Sequence, residues 1–377
     1  MKISALIAEF NPFHKGHKFL IDNMKNETDG IIAIMSGNFV QRGECAIFEK
    51  GDRAKAAVKN GVDLVLELPT AYALASAEVF AKGAIQTLSA TGCVDELHFG
   101  SECGDIEKLS QCADILSEET PEFKEILSEN LHRGLSFPAA RQAAVESLCE
   151  YGDILSAPNN TLAVEYIKEI KKSASSIKPC TIKRIGAGYN DTSYDGDILS
   201  ASAIRTLLQK EGYCQKHLLF EYESKPTFSE MFDTIVAAKL KTISRDELMN
   251  IPDCNEELAS RLCSASVFNT FLQITENVSC RNYTQSRIRR ILCNMLISNH
   301  FTVFPSPTYI RPLAFNKRGS EILKKIKSTA SLPIASRGAV LKNDEIFSLE
   351  CRSTDIYNLV HNIPGGLEFN RVSEIID

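Results

Sequence analysis

Ile3-Ser4-Ala5-Leu6-Ile7-Ala8-Glu9-Phe10-Asn11-Pro12-Phe13-His14-Lys15-Gly16-His17-Lys18-Phe19-Leu20 opens the chain with an apolar run, an Asn-Pro turn and a segment whose apolar residues recur at helical spacing. The run reads as a buried strand, which Pro12 helps to stop. The helix predicted next, over 16–26, begins at two histidines three residues apart, so both fall on one face of a turn. A helix N-terminus offers free N–H groups and a partial positive charge, the natural seat for a phosphate. Two imidazoles there can donate hydrogen bonds to phosphate oxygens as negative charge grows on them. Gly16, between them, leaves room for a nucleotide to approach the backbone.

Working outward, strand-like runs follow at 30–35, 62–68 and 94–99, separated by helical stretches at 50–60 and 72–90. Alternation of this kind gives parallel βαβ units, hence an open α/β sheet covered on both faces, with ligands bound at the carboxyl ends of the strands. Residues 106–151 read as helical with a break at Phe137-Pro138. A helix over 160–172, a strand over 178–185, a polar loop and a helix starting near Ser200 complete the unit. Beyond about residue 215 the pattern is mainly helical, with one strand-like run at 309–315. The expected organisation is a nucleotidyltransferase-like domain over 1–212 and a mainly helical, basic domain over 213–377.

Composition fits that reading. With 377 residues, 44% hydrophobic and 24% charged, the chain has the make-up of an ordinary globular protein long enough for two domains. No apolar run approaches the roughly 18 residues of a membrane span, and no cleavage-site pattern follows the first strand, so a cytoplasmic protein without membrane contact is expected. Its 12 cysteines include no Cys-x-x-Cys pair and read as reduced, packed thiols. Cys93, His98 and Cys103 match no zinc-module spacing, and no metal ligand set is expected. The net charge of −6 is uneven: residues 281–342 carry twelve bases and a single acid, Glu321, giving +11 against −17 for the rest. A basic segment on an acidic protein points to a localised polyanion site. Arg281, Arg287, Arg289, Arg290, Lys324 and Lys325 are its candidate RNA contacts.

The motif His14-Lys15-Gly16-His17 resembles the His-x-Gly-His signature of the nucleotidyltransferase superfamily. Its second signature is similar to Ile198-Leu199-Ser200-Ala201-Ser202-Ala203-Ile204-Arg205, where Ser200 reads as an N-cap and Arg205 projects from the new helix. An arginine so placed can neutralise the pyrophosphate leaving group. Further stretches narrow the resemblance: 8–17, Met35 to Gly43, Asp63 to Pro69, Phe99 to Glu102, Pro158 to Asn160 and 182–189 resemble the bacterial tRNA(Met) cytidine acetate ligase family over essentially the whole chain.

The resemblance implies an enzyme that uses ATP, expected with Mg2+, to convert acetate into acetyl-adenylate. The acetyl group then passes to N4 of the wobble cytidine of elongator tRNA(Met). It further implies His14, His17, Ser200 and Arg205 as the catalytic set, and ATP contacts from Ile7 to Leu20, Gly100, Asn159 or Asn160, and Arg184. Asn11, Ser36 and Gly37 are candidates for a small acetate pocket, and Gln41, Arg42 and Glu44 for contact with ATP or RNA. Phe10, Lys15 and Ser202 depart from the family's commoner residues without removing a needed group. Acetate is already a nucleophile, so positioning and charge stabilisation suffice and no Ser-His-Asp set is required. The competing readings are an adenylyl- or cytidylyltransferase for a small phosphorylated precursor, and a catalytically silent RNA-binding protein. The long basic C-terminal half argues against the first, and the intact His14, His17 and Arg205 against the second.

Overall fold

The computed structural model describes residues 1–184, 199–212 and 218–377. Ile185, Gly186, Gly188, Tyr189 and Ile198 of the motifs above, and residue 213 where the second domain is expected to start, lie outside the described residues. Among the described residues the strands are β1 (Ile3–Ala8), β2 (Gly30–Ser36), β3 (Phe39–Val40), β4 (Glu44–Cys45), β5 (Leu64–Leu68), β6 (Glu96–Ser101), β7 (Lys178–Lys183), β8 (Pro312–Phe315) and β9 (Glu374–Ile375). All except the β3–β4 hairpin join one sheet in the order β7-β6-β1-β2-β5-β8-β9.

The five strands read from the sequence form its parallel centre, with Ile3 opposite Gly30, Ser4 opposite Glu96, Ile32 opposite Leu64 and Glu96 opposite Lys178. Every residue of β2 and β5 is buried, as expected of strands covered on both faces. Their side chains alternate between two apolar layers. Ile32, Ile34, Leu64 and Leu66 face one, and Ile31, Ala33, Met35 and Val65 the other. The chain starts in the middle of the sheet, runs out through β2 and β5, and returns to β6 and β7 on the opposite side. That reversal opens a crevice at the carboxyl ends of β1 and β6, the switch point where such sheets bind ligands.

Several elements differ from expectation. The helix read over 72–90 is a short turn, Thr70–Ala73, and then Ala77–Ala90, because Ser76 caps the second piece through Val79 N. Residues 106–151 hold three helices, Ile106–Glu118, Pro121–His132 and Phe137–Leu148, and Phe137-Pro138 opens the last rather than breaking it. Two sheet strands come from past residue 213. Strand β8 runs antiparallel to β5, with Leu64 opposite Phe315, and β9 pairs with β8. No helix among the described residues is long and apolar enough to cross a membrane.

A buried ionic cluster fastens the C-terminal half to this sheet. Lys50 Nζ lies 2.5 Å from Glu67, 2.8 Å from Glu350 and 2.9 Å from Glu368, all four side chains being fully buried. Arg311 adds a 2.7 Å contact to Glu368. Burial and the neighbouring Glu350 push the Glu67 carboxyl up to about 8, whereas Lys50 and Arg311 overcome burial and hold Glu368 down at about 2. Charges so deep are tolerable only as a mutually satisfied set.

Candidate active site

The turn after β1 builds the site. His14 is the N-cap of the helix Lys15–Lys25, and its Nδ1 accepts from Gly16 N at 3.0 Å. His17, at the third helical position, accepts from His14 N through its own Nδ1 at 3.3 Å. The two histidines thus form a reciprocal capping box, the role usually filled by a Ser or Thr and a Glu. An imidazole nitrogen that accepts a backbone N–H carries no proton, so in each neutral ring the proton sits on Nε2. Both caps therefore leave one N–H donor per ring. Gly16 proves necessary for the cap itself: a Cβ there would lie 2.8 Å from Cε1 and 3.0 Å from Nδ1 of His14.

Burial, with Arg184 and Arg205 nearby, pulls His14 down to about 3, and burial with the adjacent His14 ring drops His17 well below its ordinary value. The rings lie 3.9 Å apart, and Phe10 and Phe13 pack against His17 at 5.0 and 5.6 Å. Two neutral donors can sit this close where two imidazolium ions would repel.

These groups line a cleft of about 210 Å³ at the switch point, together with Ile7, Ala8, Glu9, Leu20, Gly100, Asn159, Arg184, Ser200 and Arg205. Ser200 is the N-cap of the helix Ala201–Glu211, its Oγ accepting from Ala203 N at 3.1 Å. Arg205 reaches back to donate to Asn11 O at 2.9 Å and to Ser202 Oγ at 3.3 Å. Residues 194 positions apart in sequence thereby share one wall of the cleft. Neutral N–H donors and guanidinium groups lining one cleft suit an oligophosphate that gains charge during displacement.

Not every expected residue faces the cleft. Lys18 pairs with Asp22 on the outer face of its helix, Lys15 is exposed, and Pro12, Phe13, Gly16 and Phe19 are not among the lining residues. Asn160 is structural. Its Oδ1 accepts from Glu102 N at 2.9 Å and Cys103 N at 3.1 Å, its Nδ2 donates to Ile154 O at 3.0 Å, and only 3% of the residue is exposed. Asn159 lines the cleft, held through Nδ2 by Glu102 at 2.6 Å. Asn11 spends its Oδ1 on Ile47 N at 2.7 Å. Ser36 and Gly37 do not line the cleft, and their carbonyls accept from the buried Arg53, which also holds Glu9 O.

The basic segment does not form one surface. Arg290 is buried, its Nε 3.0 Å from Asp253, and Arg287 donates to Asp253 O at 3.0 and 2.8 Å. Neither is a free phosphate ligand. Lys324 and Lys325 lie on the helix Lys317–Thr329, where Lys325 Nζ is 3.3 Å from Met1 O. That places them at the amino ends of the strands, away from the cleft. Arg281 is exposed, and Arg289 alone of the six reaches the site, through Glu44 at 2.7 Å. Sequence spacing counts charges but not the helix faces that carry them.

Phe80, Phe99, Leu162 and Tyr166 give the cleft its apolar side; Phe99 opens one of the family-like stretches, whereas the other three read in sequence as ordinary core. At the amino end of β6, His98 groups with Glu96 and Cys180 rather than with the cysteines near it in sequence. Lys2 Nζ sits 2.9 Å from Glu96, so the group is already charge-paired.

A family model described as HIGH Nucleotidyl Transferase matches residues 1–367. A tRNA(Met) cytidine acetate ligase of Acetivibrio thermocellus is 37% identical over 98% of this chain and 99% of its own length. The chain belongs to the tRNA(Met) cytidine acetate ligase family. A second member, from Caldanaerobacter subterraneus subsp. tengcongensis, is 39% identical over 96% of each chain. The crystal structure of Thermotoga maritima TmcAL without ligand superposes with a TM-score of 0.92 at 32% identity, covering all of both chains. The same Thermotoga protein bound to alpha-thio ATP gives 0.87 at 30% identity, again over both whole chains.

Proposed function

We propose that the chain is an ATP-dependent ligase that joins acetate to N4 of the wobble cytidine of elongator tRNA(Met) through acetyl-adenylate. The observation that carries this reading is the histidine capping box sharing a single cleft with Arg205 and Arg184. Family membership and the alpha-thio ATP held by the Thermotoga relative support the choice of nucleotide. A small-molecule adenylyltransferase is not favoured, since relatives matching nearly the full length carry the ligase name.

In the first step an acetate oxygen bonds to the α-phosphorus while the bond to the bridging oxygen breaks, releasing pyrophosphate. His14 and His17 donate Nε2–H to the phosphate oxygens as their charge rises, and neither has to give up a proton. Arg205 and Arg184 draw the departing pyrophosphate. Ser200 contributes by fixing the helix that aims Arg205, through its cap to Ala203. Magnesium would shield the β- and γ-phosphate oxygens and would be carried by the nucleotide. The carboxylates at hand are already engaged, Glu44 with Arg205 and Arg289, and Glu9 as acceptor from Gln41 N. In the second step the cytidine amine bonds to the acyl carbon, AMP leaves, and the amine loses a proton to water.

In this reading residues 1–212 carry activation and 213–377 present the RNA. The test is mass spectrometry of nucleosides from tRNA incubated with the protein, ATP and acetate. Acetylcytidine that requires both small substrates is the expected product, and its absence from an active preparation would overturn the assignment.

A further inference from the structure

A second cleft, of about 690 Å³, opens beside the first and shares Arg42, Glu44, Ser202 and Arg205 with it. The common wall is Glu44, which touches Arg205 at 3.4 Å on the activation side and Arg289 at 2.7 Å on the other. Gly43 makes that contact possible: a Cβ there would fall 2.3 Å from Arg290 N, so only glycine lets the β3–β4 hairpin lie against the helix Gln285–Leu296. The hairpin thus brings a side chain of the basic segment to the edge of the phosphate site.

The chemistry of this second cleft is that of a nucleotide pocket. Three guanidinium groups, from Arg42, Arg205 and Arg289, line it together with the carboxylates of Glu44, Glu230 and Asp233. Phe228 and Leu272 form apolar walls, and Leu272 is 54% exposed at a rim otherwise polar. A flat apolar wall beside cations is how proteins hold an unstacked base and its backbone phosphate. An acyl-adenylate also imposes a geometric demand. The acceptor has to reach the acyl carbon from an opening next to the triphosphate site, because release of the intermediate exposes it to water.

We propose that this second cleft receives the acceptor nucleotide, flipped out of a single-stranded RNA loop. Arg289 meets its backbone phosphate, and Phe228 and Leu272 bracket the base. The assignment rests on the ligase reading above and adds where the RNA substrate enters.

The test compares Leu272→Glu and Arg289→Ala with the unaltered protein, using a tRNA transcript as probe. Two rates are measured: acetate-dependent exchange of labelled pyrophosphate into ATP, and acetyl transfer to the transcript. Leu272 is exposed, so folding is not at stake in the first variant. The expected result is a fall of at least tenfold in the ratio of transfer to exchange, expressed as a higher KM for tRNA. Transfer with an unaltered KM in both variants overturns the proposal. So does loss of exchange in step with transfer, since the cleft would then belong to activation. Absence of exchange in the unaltered protein is a different outcome, sinking the ligase reading and this proposal with it.

Discussion

The proposed mechanism gives His14 a second duty besides its helix cap, and replacing it with asparagine tells the two apart. Its Nδ1 caps the first helix at Gly16 N, a contact asparagine reproduces, because Asn is among the best N-cap residues. The backbone at position 14 is extended (φ −144°, ψ 173°), as an N-cap requires. Asparagine is too short to carry a donor to where Nε2–H points. His14→Asn is therefore expected to keep the cap, while His14→Ala loses about 1 kcal/mol of stability. Both lose one donor to the charge that develops on phosphate, worth about 10²–10³ in rate. Urea unfolding and acetate-dependent pyrophosphate exchange measure the two duties independently.

The same residue sets a pH dependence. Its folded pKa is depressed from 6.5 to about 3, so the unfolded chain binds the proton more readily. This contribution to stability is complete above pH 6.5 and is lost as pH falls toward 3, amounting to at most about 4–5 kcal/mol. His14→Asn should flatten that part of the acid limb. If the asparagine variant exchanges pyrophosphate within tenfold of the unaltered protein, His14 is not a phosphate donor and the reasoning fails.

Three further outcomes follow from particular contacts. Asn160→Ala strips the acceptor from Glu102 N and Cys103 N and should cost about 2–4 kcal/mol in urea unfolding, whereas Asn159→Ala should instead raise the KM for ATP with little loss of stability. Lys50→Met leaves Glu67, Glu350 and Glu368 buried without their shared cation and should lower stability by about 3–5 kcal/mol, read from the urea midpoint. Reversing charge at Lys324 and Lys325 together should leave the KM for tRNA within about threefold, since phosphate contacts matter only where the RNA lies. A larger rise would place RNA across the amino ends of the strands.

The parallel centre of the sheet was legible because each of its strands is buried on both faces. Gly30-Ile31-Ile32-Ala33-Ile34-Met35 can be little else when helical patterns flank it. Strands β3, β4 and β9 were not legible, being two residues each, too short for any periodicity to register. β8 was seen as a strand at 309–315, but its antiparallel partner β5 lies some 250 positions earlier, and no local pattern encodes such a pairing. Breaks inside long helical runs were missed where a single side chain, Ser76, decides where one helix restarts.

The site divides along the same physical line. His14, Gly16, His17 and Ser200 are readable because each belongs to the cap of the helix it opens, so local folding alone demands these residue types at this spacing, and Arg205 follows as a basic residue on the helix that Ser200 starts. The capping box makes this concrete: the Nδ1 atoms of both rings hold the first turn, which leaves each Nε2–H for another partner. Such a motif cannot drift in register without unfolding its own helix. Tyr166 lines a surface assembled from distant segments and nothing local marks it, whereas Glu44 and Arg289 stand out in the sequence as candidate contacts for ATP or RNA without any sign that they pair with each other. Arg287, Arg289 and Arg290 show the limit most plainly. Within four residues of one helix, two are spent on Asp253, while Arg289, presented elsewhere on the helix, meets Glu44 at the edge of the cleft. A charge run thus identifies a polyanion site only after the fold has decided which of its members remain exposed to one.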